Sequence, residues 1–413
     1  MLVLKLREFC MNRFIEFHRG ALSDLRVLEL GTLIAGPFCG QLLGDMGAEV
    51  IKIEPPNEGD PMRHWGRHDG KQRSLWWPVI SRNKKCITLD LRQQEGQELL
   101  KEAVAKTDFL LENFRPGTME NWGLDFETLS DINPRLIMIR VSGYGQTGPY
   151  AHRAGFGAIG EAMGGLRYIV GDPKTPPSRV GISIGDSLAA AFACVGALSA
   201  LHFRERTGQG QVVDSAIYEA VLGMMESLIT DFSNTGFIRE RTGAILPGIA
   251  PSNVYPSLDS LVLIAANQDN VFRRLCAAMG RPDLENDPRY FNHQARGRHQ
   301  RELDEIISRW SSTLASHEIL KLMDKHSVPA GLIYRAPDML LDPQFIARQA
   351  IVTVSHPQYG DLKMQNVVPR LSITPGAIRS VAPELGQHND EIYRGLLNVG
   401  PARMERLKSQ RVI

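Results

Sequence analysis

Short apolar runs alternate with amphipathic stretches through the first half of the chain. Residues 26–30 and 49–53 are apolar enough to be buried strands. Between them, residues 38–46 carry apolar side chains at helical spacing, and Gly47 provides a C-terminal cap. A strand, a helix and a strand in this order form a βαβ unit, in which the two strands are parallel. The pattern therefore predicts an open α/β sheet whose ligands collect at the carboxyl ends of its strands.

The same alternation continues after this unit. Further strands are predicted over residues 86–91, 109–112 and 136–141, with an amphipathic helix over 95–106. The loops that follow these strands are rich in Gly, Asn and Arg, and they contain Arg92, Asn113 and Arg115. We expect these three side chains to face one crevice, where arginines suit phosphate or carboxylate ligands. The alternative for each arginine is an ordinary surface ion pair.

One acidic residue, Asp186, lies directly before a long run of small residues, 187–202, that predicts a helix. Aspartate is a favoured N-cap, because its oxygens accept backbone N–H bonds at the positive end of the helix dipole. A carboxylate held ionised in this way and facing a cleft is also able to attack an activated acyl group. Spacing alone does not choose between a structural cap and a nucleophile.

The pattern of predicted strands, helices and loops changes at about residue 233. A loop is predicted over 242–256, strands over 261–266, 328–333 and 351–354, and helices over 271–279 and 302–314. We predict a smaller α+β domain over residues 233–335 and a large domain built from residues 22–232 and 336–413. Residues 1–21 are predicted to be a poorly determined N-terminal tail.

Composition narrows the classes of function. The 413 residues carry a formal net charge of +1, so no overall field attracts nucleic acid or an anionic membrane. No apolar run looks long enough to span a bilayer. The five cysteines are scattered without metal-ligand spacing, which favours reduced, buried thiols. A cytoplasmic location is expected, with the mitochondrial matrix as the alternative if the basic tail is a removable leader; Glu8 and Glu16 weaken that alternative.

Several loop motifs follow one another in an order that resembles the class III CoA-transferases, the family of the formyl-CoA and carnitine CoA-transferases. The matching pieces are Leu33-Ile34-Ala35-Gly36-Pro37, Val50-Ile51-Lys52-Ile53-Glu54-Pro55, Arg82-Asn83-Lys84-Lys85, Leu89-Asp90-Leu91-Arg92, Glu112-Asn113-Phe114-Arg115-Pro116-Gly117, Ser142-Gly143-Tyr144-Gly145, Gly185-Asp186-Ser187 and Leu385-Gly386-Gln387-His388. No single motif is specific, but together they cover roughly residues 22–395 in the right order.

The resemblance implies a large Rossmann-like domain with a parallel sheet, a small domain, and two chains threaded through each other as an interlocked homodimer. It implies acyl-CoA and an organic acid as substrates, with no metal and no permanently bound cofactor. It makes Asp186 the nucleophile. The positions that it implies for CoA contacts are Ala35, Leu89, Arg92, Asn113, Phe114, Arg115 and Phe156.

The implied chemistry is acyl transfer through an aspartyl anhydride and an aspartyl–CoA thioester, which requires oxyanion donors and exclusion of water. Gly243 to Gly248 stands where the family has a mobile glycine lid. Ile34 and Phe156-Gly157 stand where the formyl-CoA enzyme has polar side chains. Their apolar character favours a larger or less polar acceptor, such as a dicarboxylic acid, and resemblance to succinyl-CoA-using members suggests that donor.

Other functions remain as alternatives. A 2-methylacyl-CoA racemase of the same superfamily would need a histidine base where this chain has Phe156, and phenylalanine takes no proton. A nicotinamide dehydrogenase would use Glu54 on a ribose, but the glycine-rich fingerprint is missing. A heteromeric transferase with a second, different subunit is also compatible with the motifs, and Asp186 then marks this chain as the active subunit.

Overall fold

The computed structural model describes residues 20–413. The predicted tail lies outside this range except for its last two residues, and so does Cys10. The strands are β1 Arg26–Glu29, β2 Glu49–Glu54, β3 Lys84–Thr88, β4 Phe109–Glu112, β5 Ile137–Ser142, β6 Val212–Ala216, β7 Ser252–Pro256, β8 Leu261–Ala265, β9 Ala330–Leu332, β10 Ile351–His356 and β11 Gly360–Gln365.

The α-helices are α1 Ala35–Asp45, α2 Trp77–Ile80, α3 Gln94–Val104, α4 Thr118–Asn121, α5 Phe126–Ile132, α6 Gly157–Met163, α7 Leu166–Ile169, α8 Ile184–Thr207, α9 Ile217–Leu222, α10 Leu228–Thr235, α11 Asp269–Ala278, α12 His293–Arg298, α13 Gln300–Ser311, α14 Ser316–Lys325, α15 Ala336–Leu341, α16 Pro343–Ala347 and α17 Pro401–Ser409. Short 3₁₀ segments, Pro61–Arg63 and Pro282–Glu285, and a π-helical segment, Glu391–Leu396, complete the regular structure of the described chain.

The chain forms two compact units. The first comprises the residues up to Leu166, Val180–Thr230 and Ala347–Ile413, and the second comprises Arg167–Arg179 and Asp231–Ile346. The second unit differs from the predicted small domain because it also includes residues 167–179 and 336–346. Hydrogen bonds explain the first addition, since the Tyr168 hydroxyl donates to Glu240 over 2.7 Å and the Gly243 amide donates to the Gly171 carbonyl over 3.0 Å.

The first unit contains a six-stranded sheet in the order β3-β2-β1-β4-β5-β6, and every neighbouring pair is parallel. Strand order reverses between β1 and β4, so the loops after these two strands diverge and leave a crevice at their carboxyl ends. Strands β1 to β5 are buried almost throughout, which explains why they appear in the sequence as continuous apolar runs.

Helices cover both faces of this sheet. Apolar residues of α3, α5 and α17 form one core with the sheet, together with Ile392 and Tyr393 from the π-helical segment. On the other face, α1, α8 and α9 form a second core. The side of α8 that faces this core is a stripe of alanines, which allows the helix to approach the sheet closely.

Helix α8 begins earlier than the sequence predicts. It runs from Ile184 to Thr207, so Asp186 is the third residue of its first turn and not its N-cap, which is Ser183. The amide of Ser187 donates to the carbonyl of Ser183 over 3.1 Å, which closes the first turn before the predicted start. The expectation that no apolar run is long enough for a bilayer was also wrong. By length and composition alone α8 meets that test, as core helices of globular proteins often do, and one such helix is weak evidence.

The exposed edge of the sheet at β3 is covered by side chains from far along the chain. The Cys86 amide donates to His388 Nδ1 over 3.0 Å, and the Thr88 amide donates to Asn389 Oδ1 over 2.9 Å. The His388 amide in turn donates to the Cys86 carbonyl over 3.0 Å. These two residues therefore satisfy edge groups that a further strand would otherwise bind.

The second unit has a three-stranded antiparallel sheet in the order β7-β8-β9. Its core is formed by apolar residues of this sheet and of α11, α13 and α14. Strand β7 lies where the sequence analysis predicted only a loop, because Ser252, Asn253 and Pro256 give it the composition of a turn.

Candidate active site

The carboxylate of Asp186 lies against the backbone of Gly157, the first residue of α6. A Cβ atom added to Gly157 would lie 2.1 Å from Asp186 Oδ2 and 2.7 Å from Asp186 Cγ, so no larger residue fits there without displacing the carboxylate. Asp186 itself is half-buried in the first turn of a 24-residue helix. The positive end of that helix dipole favours the ionised carboxylate.

Small residues and one buried acid surround this contact. A Cβ atom added to Gly185 would lie 3.0 Å from the Gly157 carbonyl oxygen and 3.2 Å from Glu161 Cγ. The Glu161 side chain is 1% exposed. The first turns of α6 and α8 therefore approach each other closely because glycine occupies both contact positions. Phe156, which precedes Gly157 in the chain, is 66% exposed.

A cavity of about 150 Å³ lies at the carboxyl ends of the central strands. Its lining includes Thr32 after β1, Pro55 after β2, Leu89 and Arg92 after β3, and Phe114 after β4. Three of the residues predicted to contact CoA, Leu89, Arg92 and Phe114, therefore line one cavity. Arg92 Nε donates to Asp90 Oδ1 over 2.8 Å, and its side chain is 64% exposed, so most of the guanidinium remains accessible to a ligand.

Asn113 is used inside the fold and does not line this cavity. Its Oδ1 accepts from the Thr32 amide over 2.8 Å, and its Nδ2 donates to the Thr32 carbonyl over 2.9 Å. These bonds hold the loop after β1, which contains Ile34, the N-cap of α1, and buried Ala35, its first residue. Arg115 is exposed outside the cavity lining. The expectation that Arg92, Asn113 and Arg115 line a single crevice therefore does not match this arrangement.

A buried network of charges holds the same loop, and the sequence analysis did not predict it. Lys52 Nζ lies 2.7 Å from Asp60 Oδ2 and 3.2 Å from Glu29 Oε1, and it donates to the Gly31 carbonyl over 2.8 Å. Lys84 Nζ lies 2.8 Å from Glu29 Oε2 and donates to the Pro37 carbonyl over 2.6 Å. The two lysines therefore hold the start of the loop and the first turn of α1 that follows it. Their signal in the sequence is a lysine in a strand that is predicted to be buried: Lys52 lies between two isoleucines of β2, and Lys84 is the first residue of β3.

Electrostatics keep Lys52 and Asp60 ionised. Burial alone would lower the pKa of Lys52, but the carboxylates of Asp60 and Glu29 reverse that effect and raise it above its ordinary value. Burial alone would raise the pKa of Asp60, but Lys52 and the Met62 and Leu33 amides hold it below its ordinary value. Each charge is thus compensated by a neighbour, as burial requires.

Two further sequence expectations concern Glu54 and the glycine lid. Glu54 is 1% exposed, and Arg63 donates to both of its oxygens over 2.7 and 2.8 Å, so it is not free to bind a ribose. Gly243 and Gly248 belong to the second unit, where both have left-handed backbone with φ of 70° and 78°. Their role as a lid stays a prediction.

Within residues 20–413, no group of His, Cys, Asp and Glu side chains is placed to hold a metal ion.

Comparison with known proteins agrees with this architecture. The model of CoA-transferase family III matches residues 22–389. Succinyl-CoA–D-citramalate CoA-transferase of Chloroflexus aurantiacus is 61% identical over 95% of this chain and 98% of its own length. The beta subunit of succinyl-CoA–L-malate CoA-transferase from the same organism is 41% identical over 95% of this chain and 98% of its own length. A crystal structure of a CAIB/BAIF family protein from Brucella suis superimposes with a TM-score of 0.81 at 33% identity, over 92% of this chain and 100% of that one.

Proposed function

Because the chain belongs to CoA-transferase family III and is therefore a CoA-transferase, we propose that it moves CoA from succinyl-CoA to a hydroxy-dicarboxylic acid through a covalent intermediate on Asp186. The observation that carries the mechanism is the contact between the Asp186 carboxylate and Gly157 at the start of α6. The contact holds the carboxylate at the point where two helices begin, and the residue that precedes Gly157 is the exposed Phe156.

The proposed substrates rest on the relatives. The two transferases of Chloroflexus aurantiacus are named for succinyl-CoA as donor and for D-citramalate or L-malate as acceptor, and both acceptors are small hydroxy-dicarboxylic acids. The higher identity favours the citramalate-type acceptor for this chain. Half-buried Ile34 and exposed Phe156 add apolar surface that suits an acceptor larger than oxalate.

The first half of the proposed reaction forms the enzyme thioester. The Asp186 carboxylate attacks the thioester carbonyl of succinyl-CoA, which forms a carbon–oxygen bond, breaks the carbon–sulfur bond and releases CoA thiolate. The thiolate then attacks the aspartyl carbonyl of the mixed anhydride, which gives an aspartyl–CoA thioester and free succinate. The acceptor carboxylate repeats these two steps in reverse order, and the Asp186 carboxylate is restored.

Each step passes through an oxyanion, so nearby hydrogen-bond donors are needed. The amides of Gly157 and Ala158 open α6, where helix geometry gives them no acceptor within their own helix, and they are the donors that we assign to this role. We place CoA in the cavity lined by Leu89, Arg92 and Phe114, where the Arg92 guanidinium is able to bind CoA phosphates. The charge network and Asn113 act indirectly, because they hold the loop at the cavity mouth.

We also propose that two copies of the chain associate through α8. Its alanine stripe is buried, but Phe192, Val195, Leu198 and Phe203 on the same helix are 40–61% exposed. An apolar face of this kind on a globular protein is typical of an interface. A different subunit is the alternative partner, since the malate-specific relatives are named as alpha and beta subunits. A cytoplasmic location remains part of the proposal.

The covalent mechanism is tested with Asp186→Asn and Asp186→Ala. Both variants should lose at least a thousandfold in CoA transfer while keeping the wild-type melting temperature, because only the nucleophile is removed. Wild-type enzyme treated with succinyl-CoA and hydroxylamine should carry an adduct on the peptide that contains Asp186, detected by mass spectrometry. Transfer at near wild-type rate by either variant, or an unmodified peptide after full turnover, would contradict the mechanism.

The substrates are tested by a matrix of donors and acceptors. Succinyl-CoA, acetyl-CoA and formyl-CoA are each combined with D-citramalate, L-malate, glutarate and oxalate, and the products are separated by liquid chromatography. Succinyl-CoA with citramalate should give the highest kcat/KM. Preference for oxalate would overturn the assignment of the acceptor. Deuterium exchange from solvent into the α position of a 2-methylacyl-CoA would instead revive a racemase.

A further inference from the structure

A second cavity, of about 520 Å³, lies at the β3 edge of the sheet, away from the strand ends that form the proposed CoA cavity. It is enclosed by the end of β10, the turn that follows it, and the segment 379–388 that covers β3. The described residues around it belong to the first unit. Arg379, His356, His388 and Gln387 contribute polar side chains to its lining.

Arg379 brings a positive charge that makes no hydrogen bond to a carboxylate within the part of the chain that the structure describes. Its guanidinium donates only to backbone carbonyls within residues 20–413, those of Gly44 and, over 3.4 Å, Ala377. Asp45, the nearby acid, is already bound by Arg82 and Asn83. Desolvation lowers the pKa of the exposed Arg379 although the charge of Asp45 acts in the opposite direction, as expected of a cation that lacks a full counter-charge. An anion in the cavity would supply that charge.

Hydrogen bonds to Nδ1 of His356 and His388 determine which ring nitrogen of each histidine carries the N–H group in the neutral ring. His388 Nδ1 accepts from the Cys86 amide over 3.0 Å, and His356 Nδ1 accepts from the Gln358 amide over 3.2 Å. A ring nitrogen that accepts from an amide carries no proton, so in the neutral ring the proton is on Nε2. Burial lowers the pKa of His388 and keeps that ring neutral near pH 7. Neither Nε2 atom has a hydrogen-bond partner among the described residues.

The remaining polar groups support the same ligand class. Gln387 Oε1 accepts from the Glu384 amide over 2.8 Å, which leaves the Nε2 amide protons of Gln387 available. The ammonium of Lys84 is engaged with Glu29 and the Pro37 carbonyl. Glu384 is the one carboxylate among the lining residues; it is exposed and accepts from Gln358. The cavity thus offers one cation that is not bound by a carboxylate, together with N–H groups of His356, His388 and Gln387, against a single exposed acid.

We propose that this cavity binds an oxyanion, either the carboxylate of a small organic acid or a phosphate group. A guanidinium donates to two oxygens of such a group at once, and neutral imidazole N–H groups add hydrogen bonds without the cost of a second buried charge. The site is separate from Asp186, so the proposal does not depend on the transfer reaction.

The test follows the histidines directly. Full-length protein labelled with ¹⁵N-histidine is titrated with inorganic phosphate and, separately, with succinate, after His356→Gln and His388→Gln spectra have assigned the two signals. We expect the Nε2 signals of both histidines to shift with a common saturation curve for at least one of the two anions. Response to phosphate alone identifies a phosphate site, and response to succinate alone identifies an organic-acid site. If neither histidine signal shifts with either anion at about 10 mM, the proposal is overturned.

Arg379→Gln provides the second measurement. It should weaken anion binding at these histidines by at least about tenfold, the loss expected for one charge-assisted hydrogen bond. Arg370→Gln is the matched control, because Arg370 is an exposed arginine that precedes the segment 379–388 and lies outside the cavity lining. The affinity of this variant for the anion should equal that of wild type. Equal binding by wild type and Arg379→Gln would contradict the proposal. If Arg379→Gln fails to fold, the wild-type titration decides alone. An Asp186→Ala variant should bind the anion as wild type does, which separates this site from the proposed reaction.

Discussion

The position of the Asp186 carboxylate depends on the absence of a side chain at residue 157. The carboxylate occupies the space that a Cβ atom on Gly157 would need, with only 2.1 Å between that atom and Oδ2. A contact that close has no room for adjustment by a few tenths of an ångström. The position of the proposed nucleophile therefore depends partly on a residue that has no functional group.

Gly157→Ala tests this dependence. The added methyl group must push the carboxylate away, and a displacement of about 1 Å typically costs about a hundredfold in rate. We expect kcat to fall by about that factor, with a smaller change in KM for succinyl-CoA, because the proposed CoA cavity is lined by other residues. Steady-state kinetics with thermal unfolding as a check on folding would measure both.

Gly395→Ala is the control for this substitution. Gly395 also lies within a helical segment, but nothing lies within 4 Å of the Cβ atom that would be added. Its kinetics should match those of wild type. Equal activity of the Gly157 and Gly395 variants would show that the carboxylate tolerates displacement.

Sequence analysis predicted Asp186 as the nucleophile only through the family motifs, because an acid before a helix of small residues could equally be an N-cap. It could not predict the contact with Gly157, which joins two helices that are distant in sequence. Asn113 shows the same limit at a different position. Its place in a strand-end loop suggested a ligand contact, whereas both ends of its amide bind the backbone at Thr32.

At the scale of elements, buried charged side chains hold the loop that connects β1 to α1. Lys52 and Lys84 come from neighbouring parallel strands, and their ammonium groups hold the loop at Gly31 and Pro37. Asp60 and Glu29 balance them. Because removing one member leaves an uncompensated charge, the network should tolerate single substitutions poorly.

Asp60→Asn should lower the free energy of unfolding by about 3 kcal/mol at neutral pH, the size expected when a buried pair loses one partner. The pKa of Asp60 is lower in the folded state than its ordinary value of 3.8, so its ionised form stabilises the fold above that pH. The contribution is lost as the pH falls through the folded pKa. The gap in melting temperature between variant and wild type should therefore be constant from pH 7 to about 5 and shrink below about 4.

Asp131→Asn is the matched control, because Asp131 is exposed at the surface of α5. Its melting temperature should stay within about 1 °C of wild type, the range of a neutral surface change. A gap for Asp60→Asn that widens in acid would contradict the assigned direction of its pKa.

Buried strands were the elements that the sequence predicted best. Strand β4 has the predicted bounds, β1 and β2 differ from them by one residue at one end, and β5 is shifted by one residue at both ends, because a strand buried on both faces is largely apolar. Strand β7 was missed because Ser252 and Asn253 are polar and Pro256 is a turn former. The first turn of α8 was missed because Gly185 is a weak helix former that is accepted here for its close contact with α6.

At the scale of the whole molecule, association through α8 is the property that remains to be measured. Val195→Glu places a charge on the exposed apolar face of this helix, where 61% of the side chain is accessible in a single chain. If two copies pack there, burying that charge is unfavourable and the variant should elute as a monomer. Size-exclusion chromatography with light scattering distinguishes the two masses.

Ile132→Glu is the control for this change, because Ile132 is also an exposed apolar residue of a helix, at the end of α5. It should leave the oligomeric state unchanged. A Val195→Glu variant that remains dimeric at micromolar concentration would exclude α8 as the interface. Periodicity in the sequence could not have supplied this prediction, because an apolar residue has the same pattern whether it faces its own core or a second chain.

The cover over β3 has a consequence for the way in which the protein is made. Strand β3 ends at Thr88, but the residues that close its open side, His388 and Asn389, are translated about 300 positions later. While the ribosome is still synthesising the chain, the emerging sheet has a free border that is able to pair with another nascent polypeptide. A chaperone that shields this border, or rapid synthesis of the last quarter of the chain, would then govern the yield of native enzyme more than the stability of the finished fold does.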